Sequence, residues 1–594
     1  MAGNDSNADD PQKPRQRLDR RAFVTAAGGT IATVLGAGTI PFGESQAAAR
    51  GKWDHEVDIV VVGSGAAGLS AAVTAAGEGA KVLVLEAAPV AGGATARSGG
   101  GYWIPNNRFM REKGLTDPRQ DAVRYMARYS FTQLYDPDAK FYGVPENNYH
   151  QMEAMWDNAA PAVERLEKLG AMTYRADDSY DYWEYCPENK APAGRLVWTV
   201  PRPTAGTAAR GGAELIAQMK DWMDKHGVPI LLEHRATRLI LNKKKEVIGI
   251  EATTDEGAKT VTIRARKAVH FGSGGFILNP ELRLNFQRGP VFGACGPMTN
   301  QGDFVYMGTE AGAKLGNMQN GWRFQLVLDQ ALQSPALATD VWGVIGDSMV
   351  VVNKFGKRVV DEKRPYSDRG EIHFVYDPQH QEWTNLVLFQ IFDQRIADLS
   401  AGFYPFPPKG TSAPHVLKGE TMDDLANAIA ARLAQHGGKI GGFKLDKTFN
   451  ANLKETVTRF NRFAESGVDE DFNRGGPTFK YDAQWHERFG GQEAVKANDK
   501  PNKTMYPIAS KGPYYAILLC SGSADTNGGP VINEKSQVLS TRNQVIPGLY
   551  GAGNCISAPS GRAYWGGGAT IGTALTFGYI AGMNASKEPV KDVT

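Results

Sequence analysis

Short apolar runs are the main regular feature of the sequence. Val57–Val62 and Lys81–Leu85 are dominated by apolar residues that do not alternate with polar ones, which is typical of strands buried on both faces. An alanine-rich stretch, Leu69–Gly77, separates them and has the composition of a helix. Similar runs recur at Lys267–Phe271 and Val545–Leu549. The pattern predicts a Rossmann-like α/β sheet to which both ends of the chain contribute.

A glycine motif lies between the first strand and the helix. Gly63 permits a tight turn, Gly65 allows the backbone to approach a pyrophosphate, and Gly68 allows the helix to pack against the strand. The helix N-terminus offers N–H groups and a positive dipole to phosphates. Glu86 ends the second strand, where it can accept hydrogen bonds from ribose hydroxyls. This β-α-β unit predicts a dinucleotide site, in which Ala66 and Ala67 are also expected to contact the cofactor.

A second glycine-rich segment, residues 91–101, follows immediately. NAD-binding folds do not need such a segment, so it favours FAD as the dinucleotide. No histidine lies between His55 and His150. Flavoproteins of this kind that bind FAD covalently use a histidine in this loop, so we expect non-covalent FAD. The residues expected to contact FAD here are Gly92, Gly93, Thr95, Ser98 and Gly99.

Two distant segments are predicted to return to the same cofactor. The run Lys267–Phe271 leads into a glycine turn, and the run from Val545 ends in Gly551-Ala552-Gly553. A further glycine cluster then precedes a helical stretch, Thr573–Ala581, whose N-terminus could face the flavin and stabilise charge on it. Each turn alone would be an ordinary connection between a strand and a helix. The residues expected to contact FAD are Gly274, Gly553, Asn554, Ala569 and Ile571.

The order of these segments predicts a discontinuous FAD-binding domain. It comprises residues 53–285 and 505–588, and residues 286–504 form an inserted α+β catalytic or capping domain over the flavin. A ligand is expected in the cleft between two such domains.

The N-terminus has the order of a twin-arginine export signal. Residues 1–18 are polar, Arg20-Arg21 is followed by Phe23, and a weakly apolar stretch runs to Ile40 before Ala47-Ala48-Ala49. A membrane anchor or a disordered tail is the alternative, although four glycines in the apolar stretch disfavour a stable span. We expect residues 1–49 to direct export to the periplasm, with no integral membrane span in the mature protein.

The composition excludes several classes of function. The chain of 594 residues has a formal net charge of +2 and no long run of one sign, so nothing indicates a nucleic-acid groove. The four cysteines, Cys186, Cys295, Cys520 and Cys555, are far apart and lack the spacing of a metal site. Isolated buried thiols are the favoured interpretation.

Taken together, the motifs resemble the fumarate reductase and succinate dehydrogenase flavoprotein superfamily. Within it, the chain most resembles the 3-ketosteroid 1-dehydrogenases, through residues 98–107, 358–362 and 512–516 and the segment Tyr564–Gly572. Fumarate-type reductases typically carry a histidine a few residues before a Gly-Gly pair. This chain has Ser523–Gly529 there, and no histidine after His486.

The resemblance implies a set of catalytic residues. The family's tyrosine and glycine that bind the substrate's 3-keto oxygen correspond to Tyr564 and Gly568, and the tyrosine that removes the α-proton corresponds to Tyr366. For a third tyrosine, counting back from Gly194 selects Tyr185, whereas alignment on Pro187-Glu188 selects Cys186. The family usually has proline where Trp565 stands, and position 567 also differs.

The implied function is an FAD-dependent dehydrogenase that introduces a C=C bond next to the ketone of a cyclic, steroid-like substrate. Its expected partners are that hydrophobic ketone and a quinone or another electron acceptor. An exported enone or enoate reductase of the fumarate reductase type is the alternative. A flavin-bearing protein without catalysis is a third reading, which the tyrosine and glycine set disfavours.

Overall fold

The structure, a computed structural model, describes residues 53–202, 211–254, 257–337, 341 and 343–594. The expected export signal, residues 1–49, lies outside these described residues. Among them, none of the helices combines the length and the apolar character that crossing a bilayer requires.

The strands and helices follow in chain order. The strands are β1 His55–Val62, β2 Val82–Leu85, β3 Gly101–Trp103, β4 Tyr174–Ala176, β5 Leu196–Thr199, β6 Ile230–Leu231, β7 Arg235–Leu241, β8 Val247–Thr254, β9 Lys259–Phe271, β10 Gly293–Ala294, β11 Leu315–Gly316, β12 Gly321–Val327, β13 Met349–Val352, β14 Tyr376–Asp377, β15 Glu382–Trp383, β16 Val387–Asp393, β17 Val416–Gly419, β18 Tyr514–Thr526, β19 Gly529–Pro530, β20 Gln537–Leu539 and β21 Val545–Gly551. The helices are α1 Ala66–Gly77, α2 Gly93–Arg97, α3 Arg108–Glu112, α4 Arg119–Ser130, α5 Glu146–Lys168, α6 Gly212–Lys225, α7 Pro280–Phe286, α8 Asp303–Glu310, α9 Leu328–Ala331, α10 Tyr366–Glu371, α11 Gln394–Leu399, α12 Met422–His436, α13 Phe449–Ser466, α14 Lys480–His486, α15 Gln492–Lys496 and α16 Ala569–Ala585.

The first sheet is built from both ends of the chain. Its strands lie in the order β20-β21-β9-β1-β2-β6, with β8 paired to β9 and β7 to β8. The strands β21, β9, β1, β2 and β6 run parallel, so their carboxyl ends meet at one edge. The four apolar runs of the sequence are β1, β2, β21 and the end of β9, and the mixed α/β fold is confirmed.

A second sheet carries the inserted region. It has the order β10-β18-β16-β13, and β12 and β17 also pair with β18. The expected boundary at residue 505 assigned β18 to the cofactor-binding part, but β18 pairs with strands of the insertion. The chain therefore returns to the first sheet only after β18. Apolar runs identify strands but not their partners, so only the tertiary structure gives this boundary.

Helix α16 packs directly on α1 beneath the first sheet's edge. A Cβ atom added at Gly578 would lie 2.4 Å from the Ala67 carbonyl oxygen, and one at Gly582 would lie 2.7 Å from that of Ala71. Glycine at these two positions thus lets the two backbones approach closely. The two helices run in the same direction, so their N-termini, both expected to face the cofactor, point toward the same end of the pair.

A buried ion network joins the three-stranded sheet β3-β5-β4 to neighbouring loops. Arg195 has no exposed side-chain surface and donates two hydrogen bonds to Asp117 and one to Asp181. Trp103 Nε1 also donates to Asp181, at 2.8 Å. Breaking such a buried set costs about 3–5 kcal/mol because it leaves an unpaired charge. The network holds the loop that begins at Asp181 against β3.

Candidate active site

A deep cavity lies at the carboxyl ends of the parallel strands, where α/β sheets of this kind bind nucleotides. It is bounded by the glycine turn after β1, by the end of β2 and by the first turns of α2 and α16. Of the residues expected to contact FAD, those lining this cavity are Gly63, Gly65, Ala66, Ala67, Glu86, Gly93, Thr95, Gly274, Gly553, Asn554 and Ile571.

The glycine turn fits a dinucleotide pyrophosphate. Gly68 lies under the turn, and a Cβ atom there would be 1.9 Å from the Gly63 carbonyl oxygen. A Cβ atom at Gly65 would lie in ordinary contact, 3.5 Å from Thr95 Oγ1, so no neighbouring atom crowds this side of the backbone. Gly65 supplies no side chain to cap α1, and the first turn of α1 carries no acidic residue. The Ala66 N–H donates to Thr95 Oγ1 at 3.1 Å, and the dipole of α1 is available to phosphate oxygens.

Four other expected contacts lie outside the nucleotide cavity. Ser98 and Gly99 line an adjoining second cavity. Gly92 donates its backbone N–H to Ser64 Oγ at 2.8 Å, and so shapes the loop after β2. Ala569 is fully buried at the start of α16. Gly92 and Ala569 thus support the cavity from behind its lining.

The glycine motif did not identify every residue of the nucleotide cavity. Ser64 donates from both its backbone N and its hydroxyl to Glu86 Oε2, at 3.0 and 2.5 Å, and so orients the carboxylate expected to bind ribose. The middle position of a glycine motif is variable, so only this contact identifies Ser64. Further lining residues that sequence reasoning missed include His234, Asn300, Asp303, Thr570 and Ala574.

The second cavity continues from the first and has a volume of about 190 Å³. Both cavities are lined by Ala94, Thr95, Asn554, Thr570 and Ile571. A cofactor that extends through the first cavity would therefore reach the second along these residues.

Three tyrosine rings form one end of the second cavity. The rings of Tyr366 and Tyr564 meet edge to face with centroids 5.5 Å apart. Tyr182 stacks on Tyr564 at 5.2 Å and meets Tyr366 at 5.4 Å. The structure thus brings the two expected tyrosines together, from chain positions almost 200 residues apart, and adds a third.

Gly568 also lines the second cavity, at the N-cap of α16. Its φ of 79° is left-handed, and a Cβ atom would lie 2.3 Å from the Gly101 carbonyl oxygen, so only glycine fits. Within the described part of the chain, no residue accepts a hydrogen bond from its backbone N–H. That N–H is available to a ligand beside the tyrosine hydroxyls.

The structure corrects the expected third tyrosine. Tyr185 is 44% exposed and packs on Phe479, away from the cavity, and Cys186 is buried beside Glu188. Tyr182 lines the cavity at the place where the third tyrosine was expected. Tyr182 and Glu184 point inward whereas Tyr185 points to solvent, so an alignment shifted by three residues selects the wrong face.

Arg364 explains this orientation. It pairs with both oxygens of Glu184, donates to the Tyr182 carbonyl oxygen at 2.6 Å, and pairs with Asp482 of α14 at 3.0 Å. Its side chain is 10% exposed, so these bonds lie in a region of low dielectric. The inward direction of Tyr182 follows from this set of bonds, which no short sequence motif contains.

Trp565, where the family usually has proline, points away from the cavity. Its indole N–H donates to Ser130 Oγ at 2.9 Å, and its ring lies 5.5 Å from that of Trp103. The substitution therefore changes the packing behind the site. Gly567 does line the cavity, next to Leu196 and Trp485.

The second cavity is electrically neutral. No charged side chain is found among the described residues that line it. Beyond the tyrosines and Gly568, its walls include Leu196, Trp198, Trp485, Ala524 and Ile571. Such walls suit an uncharged, largely apolar ligand.

Burial governs the acidity of Tyr366. It raises the pKa of the Tyr366 hydroxyl well above its ordinary value, and the neighbouring Tyr182 and Tyr564 raise the pKa further. Arg369, on the same helix, bonds to the Gln325 side chain and the Arg364 carbonyl oxygen. A phenolate at Tyr366 is therefore scarce near neutral pH.

No group of three or more potential metal ligands occurs within the described ranges of the chain.

Comparison with known proteins agrees with this geometry. The family model of the FAD binding domain matches residues 58–571. A 3-oxosteroid 1-dehydrogenase of Mycolicibacterium smegmatis is 31% identical, over 89% of this chain and 97% of the relative. A 4-oxocyclohexanecarboxylate 2-dehydrogenase of Sinomonas cyclohexanicum is 27% identical, over 88% of this chain and 92% of the relative.

The fold is also that of a solved structure. The crystal structure of a 3-ketosteroid Δ1-dehydrogenase from Sterolibacterium denitrificans, in complex with 1,4-androstadiene-3,17-dione, superposes with a TM-score of 0.75 at 23% identity. The match covers 90% of this chain and 99% of that one. The chain therefore belongs to the FAD-binding domain family and, within it, to the 3-oxosteroid 1-dehydrogenases, FAD-dependent oxidoreductases that act on CH–CH groups.

Proposed function

We propose that the protein removes one hydrogen from the α-carbon and one from the β-carbon of an uncharged cyclic ketone, with a 3-ketosteroid as the substrate class. One observation carries the proposal: three phenols and one free backbone N–H converge in a neutral cavity that adjoins the nucleotide cavity. The names of the relatives supply the steroid class, and the apolar walls are consistent with it.

Tyr564 and Gly568 act on the ketone oxygen. Both residues line the second cavity, where the Tyr564 hydroxyl and the Gly568 N–H can donate hydrogen bonds. Donors aimed at a carbonyl oxygen stabilise the negative charge that develops as the α-proton leaves, most strongly where water is excluded. The two groups thereby acidify the α-carbon.

Tyr366 receives the α-proton. Only its phenolate form can act as the base, so its raised pKa makes the reaction slow at low pH. Bound FAD supplies the redox chemistry by accepting the hydride from the β-carbon. The proton on Tyr366 and the hydride together account for the two hydrogens lost when the C=C bond forms.

The neutral cavity counts against the fumarate-type reductase. A dicarboxylate would place its charges against apolar and aromatic walls, at a large desolvation cost without a paired cation. The stretch Ser523–Gly529 also lacks the histidine of those reductases.

FAD is held without a covalent bond in this proposal, since the loop after β2 contains no histidine. Electrons then leave to a quinone or another acceptor. The chain has no Cys-x-x-Cys-His motif that would attach a haem of its own.

Residues 1–49 direct export through the twin-arginine pathway in this proposal. That pathway carries folded proteins, which suits a chain that must bind FAD before it is exported. The support is the order of the segments: Arg20-Arg21, Phe23, a weakly apolar stretch and three alanines.

Titration of the holoenzyme with 4-androstene-3,17-dione under anaerobic conditions tests the reaction. We expect the visible flavin absorbance to bleach, and we expect 4-oxocyclohexanecarboxylate, which carries a charge, to bleach it at least about tenfold more slowly. Reduced enzyme should not be reoxidised by fumarate. An unbleached flavin with the steroid, or rapid reoxidation by fumarate, would reject the proposed function.

Tyr366→Phe should reduce the rate of flavin bleaching by about 10²–10⁴-fold with FAD retained, because the base is lost. In the wild type the rate of bleaching should rise about tenfold per pH unit from pH 7 to 9. The reason is that the phenolate fraction of Tyr366, whose pKa is raised, increases about tenfold per pH unit in this range. Tyr185→Phe is the matched control and should match the wild type, since that ring lies outside the cavity. A flat pH profile would argue against Tyr366 as the base.

Acid precipitation distinguishes the two modes of FAD attachment. Because no covalent bond is expected, the yellow colour should move entirely into the supernatant. Colour that stays with the pellet would show a covalent flavin. That result would disprove non-covalent attachment and leave the proposed reaction untouched.

Replacing Arg20-Arg21 with Lys-Lys in the full chain should retain the protein in the cytoplasm, because the paired arginines are the recognised signal. Cell fractionation with FAD fluorescence as the readout would show this. A periplasmic pool of equal size in both forms would contradict the proposed route.

A further inference from the structure

Thr570 is a polar residue of the second cavity to which the proposed mechanism gives no part. It is the second residue of α16, and it lines both the nucleotide cavity and the second cavity. Its Oγ1 donates a hydrogen bond to the hydroxyl oxygen of Tyr564 at 2.8 Å.

This bond joins Thr570 to a side chain and not to the helix backbone. The hydroxyl ordinarily bonds to the carbonyl oxygen four residues earlier. Thr576 follows that pattern and donates to the Gly572 carbonyl oxygen at 2.7 Å. For Thr570 the corresponding oxygen belongs to Gly566, which accepts from the Ala569 N–H instead. The hydroxyl of Thr570 is thus directed away from its own helix and toward the tyrosine.

The ring of Tyr564 cannot swing away from this contact. Tyr182 stacks on one face, and the edges of Trp322 and Tyr366 meet it with centroids at 5.0 and 5.5 Å. Trp322 is itself held by Asn554, which accepts from its indole N–H at 2.8 Å. The ring position is therefore fixed, and the torsion of the hydroxyl is the main freedom that remains.

We propose that Thr570 is a positioning residue that makes Tyr564 a directed and stronger hydrogen-bond donor to the substrate ketone. By donating to the phenol oxygen, Thr570 occupies one of its lone pairs and leaves the phenol proton for the ketone. Hydrogen bonds in such a chain polarise one another, so the phenol becomes a better donor. This inference rests on the proposed function and extends it by one residue.

Four variants of the holoenzyme test this role: Thr570→Val, Thr570→Ser, Tyr564→Phe and the double variant Thr570→Val/Tyr564→Phe. The measurements are the rate constant of flavin bleaching at saturating 4-androstene-3,17-dione and the dissociation constant of the steroid. Thr570→Val keeps the shape of the side chain and should lower the rate constant about tenfold, with the dissociation constant changed less than about threefold. Thr570→Ser restores the hydroxyl and should recover most of the rate.

The double variant separates this role from general packing. If Thr570 acts through the phenol, Thr570→Val should change the rate less than about twofold when Tyr564 is already phenylalanine. Thr573→Val is the matched control on the same helix. Thr573 Oγ1 is buried and has no hydrogen-bond partner in the described structure, so its loss should leave the rate unchanged.

Two results would overturn the inference alone: a Thr570→Val rate equal to that of the wild type, or the same tenfold loss in both tyrosine backgrounds. A Thr570→Ser variant as slow as Thr570→Val would also overturn it. A wild-type flavin that the steroid does not bleach would overturn the proposed function together with this inference.

Discussion

The site depends on one buried guanidinium. Arg364 bonds to the segment that carries Tyr182, lies two residues before Tyr366, and pairs with Asp482 on the helix that carries Trp485. Without it, Glu184 and Asp482, which are both buried, would lose their cation and push apart. A single cation thus holds together three segments that line the substrate cavity.

The arrangement keeps charge near the reaction but out of contact with it. Arg364 pairs with Glu184 and Asp482 behind the aromatic wall, whereas the cavity itself presents hydroxyl and amide groups. In an apolar site of low dielectric, a hydrogen bond to a developing oxyanion is stronger than in water. Burial also raises the pKa of Tyr366, so the base is weakened by the environment that strengthens the donors.

The position of the backbone around the cofactor site is set by the close packing of two helices, α1 and α16. The glycines of α16 let it lie directly on α1, and Gly568 lets its first turn meet the backbone of Gly101. The middle of α16 packs against α1, the helix that follows the nucleotide loop. The N-cap of α16, Gly568, offers a backbone N–H to the substrate. Tyr564 and Thr570 flank that N-terminus, which explains why residues 564–571 contribute to both cavities.

By itself, the sequence determined the cofactor site and most of the fold class, because these depend on short-range patterns. The apolar runs and the spacing of Gly63, Gly65 and Gly68 encode a strand, a turn and a helix within a few residues of one another. The resemblance to a family further identified Tyr366 and Tyr564, which the structure brings into one cavity.

What only the tertiary structure decided depends on contacts between residues that are distant in the sequence. The pairing of β18 with the insertion and the inward direction of Tyr182 are such cases, and the second is set by Arg364, about 180 residues away. Neighbouring side chains in a loop point in different directions, so spacing along the chain could not distinguish Tyr182 from Tyr185.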